Sequence, residues 1–321
     1  MQEAYTKVRP ACDMAGVLSD EASVGVVNGR MEAFNKQLMV SVPCDLPDYS
    51  VAVVDLDFAL RKVTDPTVKV TDANLILKGG GTTRVKRLVN RDPLKKPDIE
   101  TAPIENLDDL MGAVDDVFAF TEGDPARPWS EGARFDGNTV TATNSVMLCQ
   151  AKLASSSGLD GVTVSRAALA YMRQRREDLK AWGVSERGIM IEFSDGSWAV
   201  AGRMAMEMPD AAVSLVQTAI NDWEGMRDVD GEYRGAFLRA ADWASELIKI
   251  YPDRLLTGRH SSEHDEPAET ELGDAEEAVF AAKSLVTVMA VAATVGFDRY
   301  PRPVPFTTVR GSQGLIAGRT S

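Results

Sequence analysis

Two periods alternate along this chain, and the places where one gives way to the other divide it into similar stretches. Gly29–Val42 (GRMEAFNKQLMVSV) alternates apolar and polar residues at period two, the pattern of a strand pair buried on one face. Ser50–Val63 (SVAVVDLDFALRKV) starts as a short β run and passes directly into helical spacing, a strand that feeds an amphipathic helix. Val68–Lys78 returns to alternation with Asp72-Ala73 as a hairpin turn, and Thr83–Leu88 closes the stretch with another strand.

The same order then recurs. Gly137–Gln150 has the character of Gly29–Val42, with Ala142-Thr143-Asn144 opposite Ala33-Phe34-Asn35 and Met147-Leu148 opposite Leu38-Met39. Gly161–Gln174 matches Ser50–Val63; Ile191–Ala201, turning at Asp195-Gly196, matches Val68–Lys78; Arg203–Met208 closes the second copy. A third, more diverged copy predicts a helix over Gly235–Ile250, a strand near Arg254–His260 and a charged stretch, Ser261–Glu277. It continues with a strand leading into a helix over Ala278–Ala292, then strands at Thr294–Tyr300, Val304–Arg310 and Gly314–Arg319. A leading helix fits Asn106–Phe118 in the second copy and must fall within Gln2–Gly16 in the first, where Pro10 is unfavourable in a helix interior. The repeat is roughly 110 residues long. Asn90–Pro103, with three prolines, and the Gly/Asp-rich Asn221–Glu232 read as connectors. The expected organisation is therefore three tandem α+β domains, 1–98, 99–218 and 219–321, each with two helices packed on curved antiparallel sheets.

Composition narrows the function. At 321 residues, 44% hydrophobic and 26% charged, the chain has the balance of a folded multi-domain protein. Its longest apolar run, Ser284–Gly296, falls short of the roughly 20 residues a bilayer span needs. The N-terminus carries no secretory pattern, so a cytoplasmic location is expected. Cys12, Cys44 and Cys149 are far apart and odd in number, which predicts buried thiols and neither a disulfide framework nor a CxxC metal site. A net charge of −13 argues against a surface coated with cations, while leaving room for a local basic lining.

The middle copy carries the most specific wording. Arg134–Leu148 (RFDGNTVTATNSVML), Val164–Met172 and Ile189–Asp210 resemble the bacterial DNA polymerase III beta sliding clamp, whose strand pair usually ends Ala-Thr-Asp-Gly-His-Arg-Leu. Its Phe-Pro-Asp-Tyr sequence is kept here as Met208-Pro209-Asp210-Ala211. Ala282-Lys283-Ser284-Leu285 and the strands after it resemble that family's final subdomain. Two departures stand out: Val146-Met147 replaces His-Arg, and Leu315-Ile316-Ala317-Gly318-Arg319 replaces a Met-Pro-Met-Arg ending. The compact first domain and this drift suit a bacteriophage-encoded version.

The resemblance implies a ring of two chains around duplex DNA, with helices lining the hole, no catalysis and no cofactor. It also implies a pocket that takes short peptides from the polymerase and clamp loader. A lining that holds DNA without reading it offers mobile cations to phosphate. Reading Ser165–Trp182 as one helix with the stripe Ala168, Leu169, Met172 and Leu179 turns Arg166, Arg173, Gln174 and Lys180 outward, with Arg176 fitting poorly. Arg61 and Lys62 are their counterparts in the first domain, and Arg239, Lys249 and Lys283 in the third. The alternative for each is a solvated helix face without a DNA role. The family's pocket carries over to Thr143, Leu148, Pro209, Val213 and Ile316, set against the alternative that Leu148 and Ile316 are core residues.

Catalytic readings fare worse. His260 and His264 are four apart beside Glu263 and Asp265, but the surrounding SSEHDEPAETE is polar and predicts an exposed loop without a metal. Lys78–Thr83 (KGGGTT) lacks phosphate-loop spacing and follows a hairpin strand. The readings left open are a processivity clamp and a non-catalytic structural or regulatory protein that borrows the clamp architecture without encircling DNA.

Overall fold

A computed structural model of the chain describes residues 1–14, 17–18, 22–35, 37–89, 92–122, 126–202, 204, 208–210, 214, 225–244, 246–259, 262–267 and 277–319. Six α-helices lie among them: α1 (Gln2–Val8), α2 (Val53–Leu60), α3 (Leu107–Phe118), α4 (Arg166–Gln174), α5 (Gly231–Trp243) and α6 (Ala282–Val291). Apart from the two-residue strands 13–14, 17–18, 102–103 and 227–228, the order in each of three successive stretches is helix, three strands, one strand, helix, three strands. The chain folds into two compact units, Met1–Leu107 with Ala167–Arg203 and Asp108–Arg166 with Met204–Ser321. The sequence repeat and the compact units are therefore different divisions: the middle repeat gives its first half to one unit and its second half to the other.

In the first unit an eight-stranded antiparallel sheet runs in the order 102–103, 179–185, 188–193, 198–201, 38–43, 30–34, 23–27, 49–52. Strands 67–70, 74–78 and 82–86 form a second sheet. The hairpin joining 23–27 to 30–34 turns on Asn28-Gly29, both at positive φ (52° and 72°), which is the backbone that a two-residue turn between twisted strands requires. The Pro-rich connector is laid on this sheet: the Leu94 amide donates to the buried Glu32 carboxylate at 2.8 Å, and Ile99 packs with Met190, Trp198 and Val200.

The second unit repeats the scheme. Its eight strands run 162–165, 132–136, 139–143, 147–152, 313–316, 304–308, 292–295, 227–228, and a four-stranded sheet runs 262–267, 254–259, 247–250, 278–281. Helix α3 buries Leu110, Met111, Ala113, Val114 and Val117, the spacing of one helical face. Helix α5 starts at Asp230, whose carboxylate accepts the Tyr233 amide at 2.7 Å.

Two expected helices end early. Helix α4 stops at Gln174 and Leu179–Ser185 is a strand, so Lys180 stands on a sheet. Leu179 fits helical spacing, but Leu179-Lys180-Ala181 also alternates buried and exposed, and pairing with Gly188–Phe193 satisfies the backbone of both segments. The break falls at Arg175, 5% exposed, whose guanidinium donates to Asp178 (3.0 Å), Asp195 (2.9 Å) and the Tyr171 hydroxyl (3.3 Å) and covers the Phe193 ring at 4.3 Å. In the third repeat the helix occupies Gly231–Trp243, and Leu247–Ile250 is a strand between 254–259 and 278–281, which moves Lys249 onto a sheet. The 261–277 stretch is also part strand, since Ser262–Pro267 pairs along Arg254–Arg259.

Asp195 is the centre of an ion network within the first unit. Burial alone would raise its carboxyl, but the Lys7 ammonium at 2.8 Å, the Ser197 hydroxyl and amide, and Arg175 outweigh that and hold it well below the ordinary carboxylate range. A carboxyl depressed on folding contributes stability that is complete above its unfolded pKa, about 4, and disappears as pH falls below that value. Urea unfolding is therefore expected to show stability dropping between about pH 4 and pH 2, with Asp195→Asn both less stable at pH 7, by about 1 kcal/mol, and flatter through that range. An unchanged acid slope in the variant would refute this role.

Candidate nucleic-acid and partner interfaces

The candidate cations are scattered in setting. Arg61 caps α2 and is exposed, as is Lys62, whose ammonium lies 5.6 Å above the Phe58 ring. Arg166 is half-buried: it donates to the Phe118 carbonyl (3.1 Å) and the Thr121 hydroxyl (2.8 Å) and covers the Phe118 ring at 4.4 Å. That seat ties the guanidinium to the end of α3. Arg173 and Gln174 are exposed at the end of α4, and Lys180 is exposed on its strand. Arg176 opens a 3-10 turn after the helix, which explains its misfit to the helical stripe.

In the second unit the remaining cations face carboxylates: Arg239 with Glu266 (2.6 Å), Lys249 with Glu277 (3.3 Å) and Lys283 with Glu122 (2.6 Å). Exposed charges on the six helices are Glu3, Asp55, Asp108, Glu232 and Asp242 against Arg173, Arg239 and Lys283. The helix faces thus carry no cationic excess. They also expose Val54, Phe58, Leu238 and Trp243, the aromatic pair at 62% and 51%.

Three of the peptide-pocket candidates, Thr143, Leu148 and Ile316, lie in one sheet. Thr143 is buried and shapes a turn: its hydroxyl donates to the Met147 carbonyl (2.7 Å) and accepts the Ser145 amide (3.1 Å). Across the strands Thr143 faces Leu148, Leu148 faces Leu315, and Leu315 faces Pro305, so these four share one side of the sheet. Ile316 belongs to the neighbouring row with Met147 and Val304 and is fully buried on the other side. The register therefore puts Leu315, and not Ile316, opposite Leu148. Pro209 is exposed; Asp210, next to it, takes a 2.6 Å bond from Arg134, which also donates to the Met208 carbonyl. Val213 lies outside the described residues.

The catalytic alternatives find little support in the geometry. His260 lies outside the described residues, and the His264 ring stacks on Trp243 (centroids 4.8 Å apart) with Nε2 3.1 Å from Glu266. Among the described residues no group of three His, Cys, Asp or Glu side chains could hold a metal ion. Gly79–Gly81 is the turn between strands 74–78 and 82–86. No helix among the described residues is long and apolar enough to cross a membrane.

Sequence reasoning missed the sheet ends. Strand Thr82–Lys86 ends the three-stranded sheet and Ser262–Pro267 ends the four-stranded one. Only the strand order reveals an edge; the alternation of side chains is the same in central and edge strands.

No protein-family model and no curated protein matches the chain. Solved structures do. The Caulobacter crescentus beta sliding clamp superposes with a TM-score of 0.74 at 16% identity, covering 99% of this chain and 96% of that one. The Bartonella birtlesii sliding clamp (DNA polymerase III subunit beta) bound to griselimycin gives 0.77 at 14%, covering 99% and 96%. The Helicobacter pylori beta clamp bound to a DNA ligase peptide gives 0.69 at 11%, covering 100% and 97%. The fold of this chain is that of the sliding clamps, along nearly its whole length.

Proposed function

We propose that the protein is a DNA sliding clamp, a non-catalytic processivity factor whose second copy completes a ring around duplex DNA. The observation that carries this reading is how strands are used. At each of two seams the last strand of one half-repeat pairs antiparallel with the third strand of another: 198–201 with 38–43, and 313–316 with 147–152. One strand of each kind is left without such a partner, Thr82–Lys86 and Ser262–Pro267, and both end their sheets. A second copy offers the complement of each, so two chains related by a twofold axis close on themselves through two equivalent junctions.

Partners then follow from the same architecture. Duplex DNA is held by topology, and short peptides of a polymerase and a clamp loader dock on the side of the sheet that carries Thr143, Leu148 and Leu315. The Helicobacter pylori clamp, whose fold this chain shares, takes a DNA ligase peptide. A bacteriophage origin and a place in the host cytoplasm fit this role.

Among the described residues the six helices expose more carboxylates than cations, which favours a second reading, a clamp-shaped scaffold that does not encircle DNA. Loading onto a singly nicked circular plasmid with a clamp loader, followed by gel filtration, separates the two. Retention on the circle and release after linearisation are expected. A protein that leaves circular and linear DNA alike, or that is a monomer at micromolar concentration, is the scaffold instead.

A further inference from the structure

The three-stranded sheet at 67–86 has one side on which every charge is positive. Register places Lys69, Ile76 and Arg84 in one row, Thr67, Lys78 and Thr82 in the next, and Asn74 opposite Lys86 in a third. Leu75, Leu77 and Val85 are buried on the other side, towards α2, whose Leu56 and Ala59 are buried as well. The basic side therefore faces away from that helix. Lys69, Lys78, Arg84 and Lys86 are all exposed, and among the described residues none of the four is in an ion pair, whereas Lys7, Lys96, Arg239 and Lys283 each meet a carboxylate. The fold does not impose these cations. In the corresponding three strands of the second repeat the charged residues are Lys180 and Glu192, and in those of the third there are none. Lysine on an edge strand guards it against unwanted pairing, but Lys78 stands on the central strand of the three.

We infer that this side is a seat for the backbone of duplex nucleic acid, a contact separate from any duplex enclosed by a ring. Successive rows on one side of a sheet are about 6.7 Å apart and neighbouring strands about 4.8 Å, so the patch measures roughly 13 by 10 Å. One strand of a duplex presents a phosphate every 3.4 Å or so of helix axis, about four over that length, which matches the four cations. Thr82 and Asn74 lie among them and add neutral groups of the kind that bond phosphate oxygens. The make-up of the face disfavours other anionic partners. A protein surface is held firmly by large apolar or aromatic anchors, and Ile76, itself partly buried, is the only apolar side chain on this side. Single strands are held by stacking on aromatic rings, of which this side has none. In a chain of net charge −13 the surface as a whole repels DNA, which directs a duplex to the one face where the sign is reversed.

Fluorescence anisotropy of a short labelled linear duplex titrated with the full-length protein tests this. Four phosphate contacts give a salt dependence of about 3.6 in log Kd against log salt, so raising salt from about 50 to about 200 mM should weaken binding roughly a hundredfold. K78E/R84E should bind at least about tenfold more weakly at about 50 mM and lower the slope by about 2, with its urea midpoint unchanged. R187E/R302E makes the same change of net charge at exposed positions elsewhere and should bind within about twofold of the parent. Equal weakening by the two variants overturns the inference, because net charge alone would then be at work. So does duplex binding that survives K78E/R84E, and so does a single strand of the same length that binds as tightly as the duplex. Retention on circular DNA is scored separately. A K78E/R84E variant that stays on the circle after loading but has lost the linear duplex supports a seat distinct from the ring. Parent protein that leaves the circle yet shows the patch-dependent binding supports the seat and removes the clamp reading alone.

Discussion

Gly314→Ala is expected to destabilise the protein by about 3 kcal/mol, although the change adds one methyl group. Gly314 lies in the seam strand 313–316, opposite Cys149 on one side and Phe306 on the other. A Cβ there would run into the Phe306 ring and come within 2.6 Å of the Leu148 carbonyl oxygen. Neither neighbour can give way cheaply. Phe306 is fully buried and stacked on Phe120 at 5.6 Å, and the Leu148 oxygen belongs to the backbone of the paired strand. Relief requires the two strands to part, which removes ladder hydrogen bonds and shifts Leu148 and Leu315 together. Denaturant unfolding should show the loss, and peptide binding on the Leu148 side should weaken with it. Gly81→Ala is the control: a Cβ at Gly81 meets nothing within 4 Å, so its midpoint should stay within about 0.5 kcal/mol of the parent. Equal behaviour of the two variants would show that the seam tolerates parting.

Asp116→Ala should cost a similar amount, about 3 kcal/mol, through polar groups instead of packing. Asp116 stands on α3 and is 9% exposed; one of its oxygens accepts the Thr308 hydroxyl at 2.8 Å and the Ser312 hydroxyl at 2.5 Å. Both hydroxyls are buried, and the turn they flank joins the last two strands, 304–308 and 313–316. Alanine removes the acceptor and leaves two buried donors, each costing about 1–3 kcal/mol less whatever solvent reaches them. Asp116→Asn keeps an acceptor of the same shape and should lose about 1 kcal/mol. Hydrogen exchange gives a local readout: amides of 304–316 should lose protection in the alanine variant before those of 254–259. Uniform loss across both sheets would argue against a specific clip between α3 and the terminal hairpin.

Both predictions concern the terminal hairpin 304–316, and the sequence reached its seam with 147–152 only in part. Thr143 and Leu148 could be placed from the wording around them, because Thr143 has the local task of closing a turn on Met147. Ile316 could not be separated from Leu315. A strand places adjacent residues on opposite sides, and which side faces the partner depends on a register set by a strand more than 150 positions away. Leu179–Ser185 and Leu247–Ile250 misled for a related reason. Both carry spacing that suits a helix or a strand, and the ambiguity was resolved by pairing with Gly188–Phe193 and with Arg254–Arg259.

By itself the sequence determined that a strand-helix-hairpin succession recurs, since periodicity and turn residues act over a few positions and need no distant partner. It determined the joints as well: a strand passes directly into a helix at Val53, Arg166 and Ala282. The tertiary structure alone decided which strands become seams and which remain at an edge. It also gathered four cations, Lys69, Lys78, Arg84 and Lys86, on one side of a sheet. Those outcomes depend on strand order and register, which bring together residues that no local pattern links.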